Sequence, residues 1–367
     1  MKQIGGFFAL EPLPEVENHF LESLCPPEGS LGYFMSGRCA NYYALEDICL
    51  TDTKKVAYVP VYTCETVLAP FLKAGYQLKF YGVSRDMSPV FDETVLDDIS
   101  VLNLCGYYGF CNYDRDFIRK CSERGIAIVE DATHSIFSDD GVDPYSDYVV
   151  GSLRKWIGVS AGGFAIKRKG RFTLPVKEPD RTHLTLRARL MEGSSQRMSY
   201  CDGHPQNETL QQLSDAFWEA EMMLRRIFDS YGSDDKSVDI IRRYDFNRLK
   251  ERRRANYRYL LDHMPDHPQL TVVFPWLPEG TVPSHFTVYA ADRDMVQKYL
   301  AGHGIKSTTY WPQGPMVDTE GFADADYIYS HVLSIPCDQR FDAEDMEYIC
   351  RQIGAMPQLH DGLTAAL

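Results

Sequence analysis

Between residues 56 and 130 the chain alternates short β-rich runs with helical stretches, and this rhythm constrains its fold more than any other feature. The runs 56–62, 77–83, 100–105 and 126–130 read as strands. The intervening stretches 64–74, 92–99 and 113–124 carry helical spacing, and Gly75 and Gly125 close the first and the last. Such alternation predicts βαβ units in a mostly parallel sheet covered on both faces. Two further strands, 147–153 and 163–167, follow with no long helix between them, which predicts an antiparallel step near residue 160. Beyond residue 171 the pattern changes. Polar-faced helices are expected over 182–197 and 210–228, a break over 230–235, and one long basic helix over 237–263. From residue 270 a smaller α+β unit is expected, with strands at 270–274 and 285–290 and helices at 294–303 and 343–353. The expected division is a large domain, 1–235, and a small C-terminal domain, 236–367.

Composition narrows the function classes. With 44% hydrophobic and 25% charged residues over 367 positions, the chain is a folded globular protein of about two domains. A net charge of −14 repels phosphate backbones and argues against a nucleic-acid partner. An anionic small molecule remains possible where the local potential is positive. No run approaches the roughly 20 apolar residues of a membrane span, so no membrane partner is expected. The ten cysteines include no C-x-x-C pair and read as reduced thiols, with no disulfide frame and no metal site. The expected location is the cytoplasm.

In open α/β sheets ligands bind beyond the strand ends. After the strand at 126–130 come Glu130-Asp131-Ala132-Thr133-His134-Ser135, and after the strand at 147–153 come Arg154-Lys155-Trp156. Ahead of the first helix stand Ser36-Gly37-Arg38-Cys39. One carboxylate, one lysine and a glycine-bearing helix start thus face a common crevice. Pyridoxal phosphate needs these parts. A lysine holds its aldehyde, a carboxylate keeps its ring nitrogen protonated, and backbone N–H groups at a helix start with nearby hydroxyls hold its phosphate. Lys155, Asp131, and Ser152 with the Ser36-Gly37-Arg38 turn are the candidates. Each has a plainer reading: a surface lysine, a capping aspartate, a local serine bond and an ordinary turn. The basic run from Arg242 to Arg254 reads as a solvated face paired with acids. Tyr107, Tyr108, Tyr310 and Trp311 either line a substrate pocket or pack between domains.

With these pieces in order, the chain resembles the DegT/DnrJ/EryC1/StrS group of fold-type-I pyridoxal-phosphate enzymes, best known as sugar aminotransferases. The resemblance rests on Gly5-Gly6, Ser36-Gly37-Arg38, Val59-Pro60-Val61-Tyr62-Thr63, Glu130-Asp131-Ala132-Thr133-His134-Ser135 and Ser152-Leu153-Arg154-Lys155 with Gly162-Gly163 behind it. A strand over 304–312 and the Leu333-Ser334-Ile335-Pro336 stretch resemble the family's small domain. The resemblance implies a mostly parallel seven-stranded sheet, Lys155 as the catalytic residue and a homodimer with shared active sites. It also implies small-molecule substrates: glutamate as amino donor and a keto-sugar nucleotide as acceptor. His134 would contact the cofactor ring or its phenolic oxygen. Cys64 stands where many relatives carry the aromatic residue that stacks on the ring, so Tyr62, Tyr107 or His134 would stack instead. The Ser-x-x-Lys spacing is shorter than in the sugar enzymes, which marks a divergent branch. Two alternatives stay open: other pyridoxal chemistry on amino acids, such as racemisation or decarboxylation, and a non-catalytic regulatory protein on the same fold.

Overall fold

The structure, a computed structural model, describes residues 3–15, 17–199 and 207–357; Cys201 lies outside them. The other nine cysteines are free. Strand β1 (Ile4–Gly5) and the short helix α1 (Phe20–Leu24) precede the main layer. Then come β2 (Ser30–Phe34) and α2 (Gly37–Ile48), whose start is capped by Ser36 Oγ accepting from the Cys39 N–H at 3.2 Å. The alternating region follows as β3 (Val56–Pro60), α3 (Glu65–Lys73), β4 (Gln77–Val83), β5 (Pro89–Val90), β6 (Val101–Cys105), α4 (Arg115–Glu123) and β7 (Ala127–Asp131). Strands β8 (Tyr148–Ser152) and β9 (Gly163–Lys167) complete it.

These strands form one eight-stranded sheet in the order β2-β9-β8-β7-β6-β3-β4-β5. The core from β4 through β8 is parallel, and β9 runs antiparallel to both β8 and β2. The antiparallel step expected near residue 160 is the β8–β9 connection. The eighth strand is β5, a two-residue hairpin partner of β4. A helix over 92–99 was expected just after it. That stretch makes only a 3-10 turn, Glu93–Val95, because Asp92 Oδ1 satisfies the Thr94 N–H and hydroxyl locally.

Helices α5 (Arg181–Ser199) and α6 (Asn207–Ile227) pack against each other. The long basic helix expected over 237–263 is two helices, α7 (Asp235–Arg243) and α8 (Phe246–His263). Tyr244 turns extended between them, and Asp245 restarts the helix by accepting from the Arg248 N–H at 3.0 Å. Its basic run is only partly a solvated face. Arg242 pairs with Glu22 at 2.7 Å and Arg243 with Asp239 at 3.3 Å. Arg253 is fully buried. Its Nε donates to Gln339 Oε1 and its Nη1 to the Ser284 carbonyl, both at 2.8 Å, and the guanidinium lies 4.5 Å from the Trp156 ring centre.

The remainder contains β10 (Leu270–Val272), β11 (Phe286–Ala290), α9 (Arg293–Gly302), β12 (Ile305–Lys306), α10 (Ala323–His331), β13 (Val332–Ile335) and α11 (Ala343–Gly354). Strands β10, β11 and β13 form an antiparallel sheet. The strand expected over 304–312 is limited to β12, which pairs in parallel with β1, followed by a bridge from Thr308 to Ser334. Among the described residues no helix is long and apolar enough to cross a membrane.

One buried acid in the sheet makes the fold sensitive to pH. Glu130 on β7 accepts from the Tyr113 hydroxyl at 2.9 Å, the Ser146 hydroxyl at 2.7 Å and the Asp143 N–H at 2.8 Å. Burial outweighs these bonds and pushes its carboxyl up to about 7 from 4.5. Between those two values the native state holds a proton that the unfolded chain has released, so stability falls as pH rises through the window. The denaturant midpoint of the wild type, relative to Glu130→Gln, is therefore expected to drop as pH rises from 4.5 through about 7. A difference that does not move with pH would show that Glu130 ionises as an ordinary carboxylate.

Candidate active site

The carboxyl ends of β6, β7 and β8, the starts of α2 and α3, and the segment after β12 enclose a cavity of about 630 Å³. Gly37, Arg38, Cys64, Asp131, His134, Ser152 and Lys155 all line it. Ser36 does not; it lies beneath the α2 start as the helix cap. Tyr62 and Tyr107 also stay outside the lining, in a buried aromatic cluster where the Tyr107 hydroxyl donates to the Tyr62 carbonyl at 2.6 Å. Tyr108 is buried with them and donates to the Tyr310 carbonyl at 2.7 Å. Of the four aromatic candidates, Tyr310 and Trp311 line the cavity.

Local hydrogen bonds hold the two strand-end turns together. Asp131 Oδ1 accepts from the Thr133 N–H at 3.0 Å, and the Trp156 indole N–H donates to the Thr133 carbonyl at 2.7 Å. Lys155 closes a 3-10 turn, Leu153–Lys155, directly before that indole. Its Nζ lies 5.3 Å from the Tyr310 ring centre, and the His134 ring is 5.3 Å from the same ring. Where β9 passes under α2, a Cβ on Gly163 would collide with the Ser36 carbonyl, so only glycine permits the approach.

Burial sets the electrostatics. It raises the Asp131 carboxyl above its ordinary range, against the pull of the Thr133 bonds and the Lys155 charge. It also drives His134 well below the ordinary imidazole value, helped by His285, Lys155 and Arg253, so His134 is neutral. His134 Nδ1 lies 3.1 Å from Ser284 Oγ, while its Nε2 has no hydrogen-bond partner. Ser152 Oγ is buried and equally without a partner. Burial works to raise Glu221, but Arg154, Arg187, Lys155 and Arg38 together pull it below its ordinary value.

Several lining residues escaped the sequence reading. Arg187 on α5 and Glu221 on α6 are isolated charges on polar-faced helices, and nothing in their neighbourhood distinguishes them from surface residues. Arg154 was visible only as a flank of Lys155. Phe7 and Phe8 follow β1, beside the Gly5 and Gly6 that the sequence had already singled out, and His285 lies just before β11.

No protein-family model matches the chain, and no curated protein matches it in sequence. Solved structures do match in fold. Helicobacter pylori PseC, an aminotransferase involved in the biosynthesis of pseudoaminic acid, superposes with a TM-score of 0.62 at 13% identity, over 96% of this chain and 99% of that one. The putative sugar aminotransferase Spr1654 from Streptococcus pneumoniae, in its PLP form, gives 0.62 at 12% identity, over 96% and 92%. A DegT DnrJ EryC1 StrS aminotransferase from Brucella abortus gives 0.54 at 17% identity, over 89% and 85%. At these identities the likeness defines architecture: the chain has the fold-type-I architecture of the sugar aminotransferases.

Proposed function

We propose that the chain is a pyridoxal-phosphate-dependent aminotransferase that moves the amino group of glutamate onto the keto group of a nucleotide-linked sugar. The observation that carries this reading is that Asp131 and Lys155, from separate strand ends, line one cavity with the α2 start. The residues present fit the cofactor. Ser152 Oγ and His134 Nε2 are buried polar atoms that lack partners, as atoms awaiting a phosphate and a ring would. Gly37 leaves room beside Ser152, since a Cβ there would come within 3.0 Å of Ser152 Cβ and 3.2 Å of the Gly151 carbonyl.

When bound, pyridoxal phosphate would supply the electron sink for cleaving a C–H bond next to the amino group. In this reading Ser152 and the backbone N–H groups at Gly37 and Arg38 hold its phosphate, Asp131 keeps its ring nitrogen protonated, and Lys155 binds its aldehyde. A protonated ring nitrogen gives Asp131 the partner that a buried carboxylate needs. The Lys155 amine would also serve as the base that takes the proton from the substrate carbon and holds it for return. Neutral His134 contacts the ring without adding charge, and Cys64 contributes a small apolar contact. Tyr310 and Trp311, which line the cavity, would help to shield it from water. The large unit, 1–235, holds the eight-stranded sheet in this reading, and the small unit, 236–367, holds the antiparallel one. A homodimer with shared sites belongs to the same reading; Trp218, 59% exposed beside the cavity, supports an interface there.

The purified protein reconstituted with the cofactor is expected to be yellow, and borohydride followed by peptide mapping should label Lys155. A label on another lysine, or none, would sink the assignment. Asp131→Asn should keep the fold and the cofactor but lower the turnover number by about 10²-fold or more, because the amide cannot hold the ring nitrogen protonated. Turnover at the wild-type rate with cofactor bound would reduce Asp131 to a structural cap. Gly37→Ala should weaken cofactor binding several-fold in equilibrium dialysis with little change in melting temperature, since the α2 start must back away from Ser152.

A further inference from the structure

The charge of the cavity runs against that of the chain. Arg38, Arg154, Lys155, Arg187, Lys306 and Arg340 line it, facing only three carboxylates: Asp131, Glu221 and Asp338. The protein as a whole carries −14. Part of this positive excess is absorbed locally. Arg340 Nε and Nη2 donate to the two Asp338 oxygens at 2.7 and 2.8 Å, and Arg38 Nη1 donates to the Leu224 carbonyl. Arg154 and Arg187 are different. Arg187 Nη1 comes only to 3.8 Å from Glu221 Oε1, too long for a hydrogen bond. Arg154 Nε and Nη1 and Arg187 Nε are buried with no hydrogen-bond partner. A buried guanidinium with idle donors is costly, and its planar fork matches the two oxygens of a carboxylate or phosphate.

We propose that Arg154 and Arg187 form an oxyanion-binding subsite in the cavity wall, only partly neutralised by Glu221 and open to a carboxylate or phosphate group. The two guanidiniums share one resident carboxylate, so the pair keeps a net positive charge in a poorly hydrated place. Burial and the neighbouring Arg154 push Arg187 down to about 9, as expected for two cations with too little counter-charge. The second carboxylate or phosphate supplies what Glu221 alone does not. The subsite lies partly on α5 and α6, so that helical pair selects ligands by charge. Taking the cavity as the reaction site rests on the aminotransferase reading; the subsite itself does not.

The test uses the full chain loaded with pyridoxal phosphate and two pairs of probes. Glutarate and its neutral diamide, titrated calorimetrically, report a substrate carboxylate. Pyridoxal phosphate and pyridoxal, compared on the cofactor-free chain, report the cofactor's phosphate. Glutarate should bind and the diamide should not, and Arg187→Gln should weaken glutarate by about tenfold or more while Arg187→Lys keeps part of the affinity. Glu221→Gln removes the competing carboxylate and should tighten glutarate, a gain that a merely structural role would not produce. If glutarate does not bind but Arg187→Gln weakens pyridoxal phosphate and leaves pyridoxal unchanged, the oxyanion is the cofactor's phosphate and the subsite stands. If neither pair responds to Arg187→Gln, or if Glu221→Gln weakens binding, the proposal is overturned. Should Arg187→Gln fail to fold, Arg154→Gln carries the same test. Failure of the aminotransferase reading appears separately, as absence of the Lys155 label.

Discussion

One hydrogen bond joins the two turns on which the cavity depends: the Trp156 indole N–H to the Thr133 carbonyl. Thr133 in turn donates its own N–H to Asp131, and Lys155 is the residue before the indole. The acid and the lysine therefore share a short covalent and hydrogen-bonded path, although they lie on different strands. Trp156 is itself fully buried, packed edge-on to Phe137 and covered by the Arg253 guanidinium. The arginine reaches from α8 to Gln339, whose amide donates to the Trp156 carbonyl at 2.7 Å. Side chains locked in this way hold the acid and the lysine at fixed geometry, which loops alone do poorly.

The walls of the cavity differ in kind. The strand-end wall is neutralised within itself: Asp131 faces Lys155, and His134 is kept uncharged by burial. The wall made by Arg154, α5 and α6 holds unspent positive charge. A low-dielectric enclosure magnifies both effects, since charges there are less screened than on the acidic exterior. The acidic exterior and the positively lined cavity therefore carry potentials of opposite sign.

Contiguity decided what could be read from the sequence. Glu130 to Ser135 and Ser152 to Trp156 are short segments at strand ends, and their order alone brings Asp131, His134, Ser152 and Lys155 to one edge of the sheet. The parallel core was equally legible, because buried strands and intervening helices leave an unmistakable period. Arg187 and Glu221 were not legible: single charges on solvent-facing helices look alike until the helices are placed. Ser36 is ambiguous in the sequence, since the hydroxyl that suits a phosphate also suits the helix cap it makes here. The break at Tyr244-Asp245 was masked by basic residues that continue across it, although an aspartate three residues before Arg248 is a helix-start signal. Arg253 looked like its exposed neighbours because burial of one residue in a basic run depends on which face the helix turns inward.

The pairing of β1 with β12 bears on how the protein comes to be folded. Ile4 meets Ile305, so the wall that includes Gly5 to Phe8 is closed by a contact spanning about three hundred residues. On a ribosome Ile4 and Gly5 must wait for some three hundred further residues before their partner strand emerges, and units formed earlier cannot complete this wall for them. The eight-stranded sheet can assemble without β1, whose described strand pairing is with β12 alone. The wall at Gly5 to Phe8 thus depends on a strand pairing separate from the sheet that frames the rest of the cavity.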